Sequence, residues 1–177
     1  TGDSVYSAVK TTFADGLHML VKIEFDSTSI SIIKDGDLAL QRNINYGVDS
    51  AIETVRAFPQ FGENLSQQEA LMVLHDRRCL QDSLNGIDTS DMDTQDQLLE
   101  NAKMEVTESF RYMVGNISRI MDYYISRNTD ATFSSIQICG LGAGIKGVRR
   151  LLANELAQRV EVVYALDKCT YPEFSEK

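Results

Sequence analysis

Three observations in the sequence predict an α/β fold built on a mixed sheet. Residues 18–45 carry three runs of strand-type residues joined by short turns. Residues 94–126 carry the strongest helical periodicity in the chain. The last third alternates strand, glycine loop, helix and strand. Hairpin-linked strands pair antiparallel, whereas a strand–helix–strand unit pairs parallel and right-handed, so the sheet is expected to be antiparallel at its start and parallel at its end.

The elements follow in chain order. Ser4 to Phe13 reads as a weak amphipathic helix, with Val5, Ala8, Val9 and Phe13 on one side and Gly16 as a stop. Met19, Val21, Ile23 and Phe25 alternate with Lys22, Glu24 and Asp26, the period-two pattern of a half-buried strand. Thr28 to Ile33 is β-branched throughout its apolar positions, and Asp35-Gly36 then marks a hairpin into a third strand, Leu38 to Ile44. Ala51, Ile52 and Val55 suggest a short helix, ended at Phe58-Pro59 because the residue before proline avoids the α region. Ser66 and Glu69 have capping-box spacing and open a helix carrying Ala70, Leu71 and Leu74. Leu84 to Asp96 is polar and acidic and reads as a mobile loop. A second capping box, Thr94 to Gln97, is expected to start one helix of some 30 residues ending near Ser126, with Leu98, Ala102, Val106, Phe110, Met113, Ile117, Ile120 and Tyr124 as its apolar stripe. Phe133 to Ile138 is a strand, Gly140 to Gly147 a glycine-rich loop, Gly147 to Arg159 a helix and Val160 to Leu166 a strand.

Composition narrows the function. Apolar residues make up 43% and charged residues 24% of the 177, which fits a folded domain rather than a disordered chain. No stretch approaches the roughly 18 consecutive apolar residues of a membrane-crossing helix, so direct membrane insertion is not expected. The chain starts at Thr1 without a signal-peptide pattern, and it reads as a segment of a longer protein. A net charge of -9, with Arg77-Arg78 and Arg149-Arg150 as the paired basic residues, excludes the concentrated basic patch that nucleic-acid binding requires. Cys79, Cys139 and Cys169 are odd in number and far apart, the pattern of reduced structural thiols rather than a disulfide frame or a zinc site. His18 and His75 lie in unlike settings with no nucleophile or metal-ligand spacing around them, so neither a catalytic residue nor a metal site is expected.

One segment carries a chemical signature. Ile138-Cys139-Gly140-Leu141-Gly142-Ala143-Gly144-Ile145-Lys146-Gly147-Val148 places glycines directly after a strand and before a helix. Glycine lets a backbone approach a ligand closely, and the helix N-terminus that follows favours anions. Gly142 to Gly147 also spells Gly-x-Gly-x-x-Gly, but the dinucleotide fingerprint belongs on the first strand–helix turn of a parallel sheet, not here after an antiparallel hairpin. Two readings stay open: a tight connection that binds nothing, and a loop in contact with a nucleotide. Lys22 and Glu24 likewise read either as solvated positions of an edge or half-exposed strand, or as part of a ligand site.

The order of these motifs resembles the C-terminal lobe of the actin-like (ribonuclease H-like) ATPase fold, and within it the PilM family of type IV pilus assembly proteins, with the FtsA division proteins next. Leu20 to Ile30 resembles the strand and turn that open the family's second lobe. Asp35-Gly36-Asp37-Leu38 and Arg42 to Asp49 resemble its hairpin and next helix, Ser66 to Ala70 its short Glu-Glu-Ala helix, and Glu105 to Tyr124 its long helix. Ile138 to Val148 resembles the adenosine-contacting glycine motif. The resemblance implies that 1–177 is a single lobe, with 18–46 and 133–166 as sheet core and 47–96 as helical insertion and loop.

It also implies a site. Gly140, Gly142 and Ala143 would be the cofactor-binding residues, with Leu141 where a second glycine is common. Members that bind ATP usually open this lobe with an Asp and a Gly flanking one residue, a turn that faces the phosphates; here those positions are Lys22 and Glu24. The resemblance therefore implies ATP with Mg²⁺ as the cofactor of a full-length protein, none in this segment, and no catalysis by this segment. The implied role is a scaffold on the cytoplasmic side of the inner membrane, partnered by pilus assembly proteins such as a PilN-like membrane protein and capable of self-association. The alternatives are an active nucleotide-binding ATPase of the same fold and an FtsA-like division protein, for which the tail Asp167 to Lys177 lacks an amphipathic targeting helix.

Overall fold

A computed structural model describes residues 13–163. The helix expected over Ser4–Phe13, apart from Phe13, the end of the last strand at 164–166, the tail from Asp167 and Cys169 lie outside the described residues.

Five strands form one sheet in the order β3-β2-β1-β4-β5. β1 (Leu17–Ile23), β2 (Thr28–Lys34) and β3 (Asp37–Ile44) make an antiparallel meander, and β4 (Phe133–Cys139) and β5 (Val160–Val162) add parallel to it. This is the mixed sheet the sequence predicts. At the β2–β3 turn Asp35 and Gly36 both take left-handed φ, 50° and 84°, as a primed hairpin turn requires. The Asp35 carboxylate accepts the Gly16 N–H at 2.9 Å and ties this turn to the start of β1.

Side-chain alternation gives the sheet two unlike faces. Met19, Val21, Ile23, Ile30, Ile32, Ile136 and Ile138 join the main core, which the helices α1 (Asp49–Ala57), α2 (Gln67–Asp76), α3 (Thr94–Glu108), α4 (Arg111–Arg127) and α5 (Val148–Leu156) complete. Leu20, Ile33 and Cys139 form a separate small cluster with Phe13. Cys139 is buried as expected, but in this second cluster.

The helices depart from expectation in two places. The single 30-residue helix is two, α3 and α4, parted at Ser109-Phe110. Thr107 Oγ1 donates to the Lys103 carbonyl at 2.7 Å and Ser109 Oγ to that of Val106 at 2.6 Å, and the Phe110 N–H falls back on Thr107 O. Hydroxyls that bond back to the preceding turn compete with the helix ladder and bend it. The apolar stripe survives the break: Ala102, Val106, Phe110, Met113 and Ile117 are fully buried, whereas Leu98 is half exposed. The α3 cap is Asp93, whose carboxylate accepts from the N–H groups of Gln95 and Asp96, rather than Thr94. The Ser66–Glu69 capping box forms as expected.

Candidate functional site at the carboxyl end of β1

In open α/β sheets ligands sit beyond the carboxyl ends of the parallel strands. Here that end gathers Lys22 and Ile23 of β1, Glu24 directly after it, and the glycine loop that follows β4, because Lys22 pairs with Cys139 in the parallel register. β1 is the central strand of the sheet, so of the two solvated readings the half-exposed position fits Lys22 and the edge position does not; Glu24 follows the strand directly. They form an ion pair, Nζ to Oε1 at 2.6 Å, with side chains 25% and 40% exposed. Both charges act on the Cys139 thiol next to them, but burial dominates and pushes it up to about 11.

Beyond Glu24 the chain turns back, with the Glu24 N–H on Ser27 O at 2.9 Å. The start of α1 then docks on this turn: the Val48 and Asp49 N–H groups donate to the carbonyls of Glu24 and Phe25 at 3.0 and 2.9 Å. These are among the orphan donors with which a helix N-terminus would hold an anion, and here backbone carbonyls occupy them. Gly47 makes the approach possible, since a Cβ there would lie 2.1 Å from Phe25 O.

The glycine loop is packed against the same strand end. Gly140 has φ +83°, and a Cβ on it would come within 2.5 Å of Ile23 O. A Cβ on Gly142 would meet Ile23 Cγ2 at 2.5 Å. Both glycines are thus demanded by the close passage of Ile23. Leu141–Gly144 forms a 3-10 turn in which Ala143 is buried. Its far side is closed by the end of α2: His75 Nε2 donates to Leu141 O at 3.1 Å, the Lys146 N–H donates to Leu74 O at 3.1 Å, and a Cβ on Gly144 would touch the His75 ring at 3.1 Å. The structure therefore brings Gly140, Gly142 and Ala143 together with Lys22 and Glu24. It adds Ile23, Gly47 and His75, which the sequence reading passed over; their contacts are with residues remote in sequence, and the one local signal is Gly47 just ahead of a helix.

The other histidine is structural. His18 Nε2 donates to Asp15 O at 2.8 Å, which leaves Nδ1 to accept from Ser135 Oγ at 3.0 Å. Among the described residues no cluster of His, Cys, Asp and Glu is arranged to hold a metal. No helix there is long and apolar enough to cross a membrane. A groove of about 440 Å³ lies at the opposite end of the sheet, lined by Gly16, Lys34, Asp35, Tyr124, Arg127 and Asp130 among others, with charges of both signs.

No protein-family model matches the chain, and no curated protein matches it. Solved structures do. The chain is similar to a PilM-PilN type IV pilus biogenesis complex, with TM-score 0.65 and 16% identity over 93% of this chain and 41% of that one. It is similar to MreB5 of Spiroplasma citri bound to ADP, with TM-score 0.60 and 16% identity over 92% of this chain and 54% of that one. It is also similar to Ta0583, an archaeal actin homolog, with TM-score 0.54 and 12% identity over 95% of this chain and 49% of that one. The fold is that of an actin-like lobe, and the chain spans about half the length of these relatives or less.

Proposed function

We propose that this lobe belongs to a PilM-like scaffold of a type IV pilus assembly machine, on the cytoplasmic side of the inner membrane, whose nucleotide site in this lobe has decayed. The observation that carries the reading is the Lys22–Glu24 ion pair at the carboxyl end of β1. A carboxylate there repels a polyphosphate, and the lysine that would offset this repulsion is already bound to it. At the α1 N-terminus the Val48 and Asp49 N–H groups are already held by the Glu24 and Phe25 carbonyls, and that of Ser50 by the Asp49 carboxylate. Gly140 and Gly142 have their close approach taken up by Ile23. The residues at this strand end therefore do not suit the phosphates of ATP, and no step is assigned to a nucleotide.

The likeness to the PilM-PilN complex supports one partner class, the cytoplasmic segment of a PilN-like membrane protein. An actin-like ATPase or an FtsA-like division protein has the same fold, and the ion pair is what favours the scaffold over the ATPase. The test is co-purification of the full-length protein with the cytoplasmic segment of the PilN-like protein from the same organism, with and without ATP and Mg²⁺. Stable capture that is indifferent to nucleotide is expected. Failure of capture together with ATP turnover would overturn the reading.

A further inference from the structure

We propose that Asn85-Gly86 is a self-modification site, at which the Gly86 backbone nitrogen attacks the Asn85 side chain and converts it through a cyclic imide to aspartate and isoaspartate. The inference rests on how this junction is held. The chain just before it is pinned: Glu155 accepts from Ser83 Oγ and the Leu84 N–H, both at 2.8 Å, and Arg111 Nη2 donates to Leu84 O at 3.1 Å. The Asn85 N–H donates to Ser83 Oγ at 3.2 Å. Leu84 and Asn85 form a tight turn; Asn85 is exposed, and among the described residues its carboxamide makes no hydrogen bond.

The reacting groups are thus adjacent, and the Asn85 carboxamide is free to turn towards the Gly86 nitrogen. Gly86 has φ +72° and no side chain to crowd its nitrogen. The other asparagines differ in one respect or both. Asn116, Asn128 and Asn154 have their carboxamides bound to the carbonyls of Tyr112, Tyr124 and Asp82. Asn43, Asn45, Asn64 and Asn101 are followed by Ile44, Tyr46, Leu65 and Ala102, whose side chains shield the attacking nitrogen.

The step balances without any co-reactant beyond water. A bond forms between Gly86 N and Asn85 Cγ, the Cγ–NH₂ bond breaks, and the amide leaves as ammonia. Water then opens the imide at either carbonyl, and the new carboxyl group loses its proton. The product is one charge more negative than -9. Where the ring opens at the backbone carbonyl, the main chain gains a methylene between the Leu84 anchor and the acidic run Asp88, Asp91, Asp93.

Peptide mapping by mass spectrometry of the folded protein, aged at mildly alkaline pH and labelled with an isoaspartate methyltransferase, tests this. Conversion at residue 85 ahead of every other asparagine is expected, with a matching acidic shift in isoelectric focusing. Asn85→Gln, which keeps Gly86 and the loop backbone, should lose the shift, and Gly86→Ala should slow it. Three results would each overturn the proposal: retention of Asn85 in folded protein that converts it in denaturant, earlier conversion at another asparagine, or Gly86→Ala converting as fast as the parent.

Discussion

A Cβ placed on Gly140 would lie 2.5 Å from the carbonyl oxygen of Ile23, 117 residues earlier in the chain. That one approach packs the glycine loop on β1. Gly140→Ala would need both the strained φ of +83° and a shift of the central strand. It should destabilise the protein by about 2–4 kcal/mol in urea unfolding, with no nucleotide present.

Gly115 provides the contrast. It sits inside α4, where a Cβ would meet nothing nearer than the tip of Arg119 at 3.7 Å. Gly115→Ala should raise stability by about 0.5–1 kcal/mol, since it removes the helix penalty of glycine without a clash. The same urea titration reads both variants, so the sign difference isolates geometry from composition.

Both described cysteines should resist thiol reagents. Burial pushes Cys79 and Cys139 up to about 11, which leaves very little thiolate at neutral pH. With Cys169 replaced by Ser, a chromogenic disulfide reagent should label the folded protein slowly and react with both thiols once urea unfolds it. Rapid labelling of either in the folded state would contradict their burial.

Acid stability should depend on the α2 capping box. The Ser66 hydroxyl and N–H hold the Glu69 carboxyl below its ordinary value of 4.5. A depressed folded value means that the stabilisation is present above the unfolded value and is lost as pH falls through the folded one. Glu69→Gln should therefore lower stability at neutral pH and flatten its decline on the acid side of 4.5. Thermal melts at a series of acid pH values read this directly.

Much of this architecture was legible because it is local. Alternation in Met19 to Ile23, the Asp35-Gly36 pair and the Ser66–Glu69 spacing each encode their element within a few residues. The break at Ser109-Phe110 was not legible, since Thr107 and Ser109 hydroxyls are compatible with a straight helix until they bond backwards. Nor was the meaning of the glycine motif. Glycines of this pattern serve a ligand, a neighbouring strand or both, and the neighbours Ile23 and His75 are brought there by the fold alone. Lys22 and Glu24 alternate with apolar residues as an edge or half-exposed strand would, and that they stand at the end of the central strand was not legible, because pairing with β4 cannot be read from β1.

The central claim is that this strand end is closed to a nucleotide by the Lys22–Glu24 pair and by the packing of Gly140 and Gly142 on Ile23. Calorimetric titration of the chain with ATP and Mg²⁺ tests it most directly. The account predicts no saturable heat at protein concentrations of tens of micromolar, where binding worth about 8 kcal/mol would be plain. Gly142→Val is unsuited as the control, because it would disturb the contact with Ile23 Cγ2 whether or not ATP binds. Glu24→Gln, which removes the carboxylate and keeps the backbone, serves instead. Saturable binding by the parent chain with a micromolar constant, shifted by Glu24→Gln, would contradict the account.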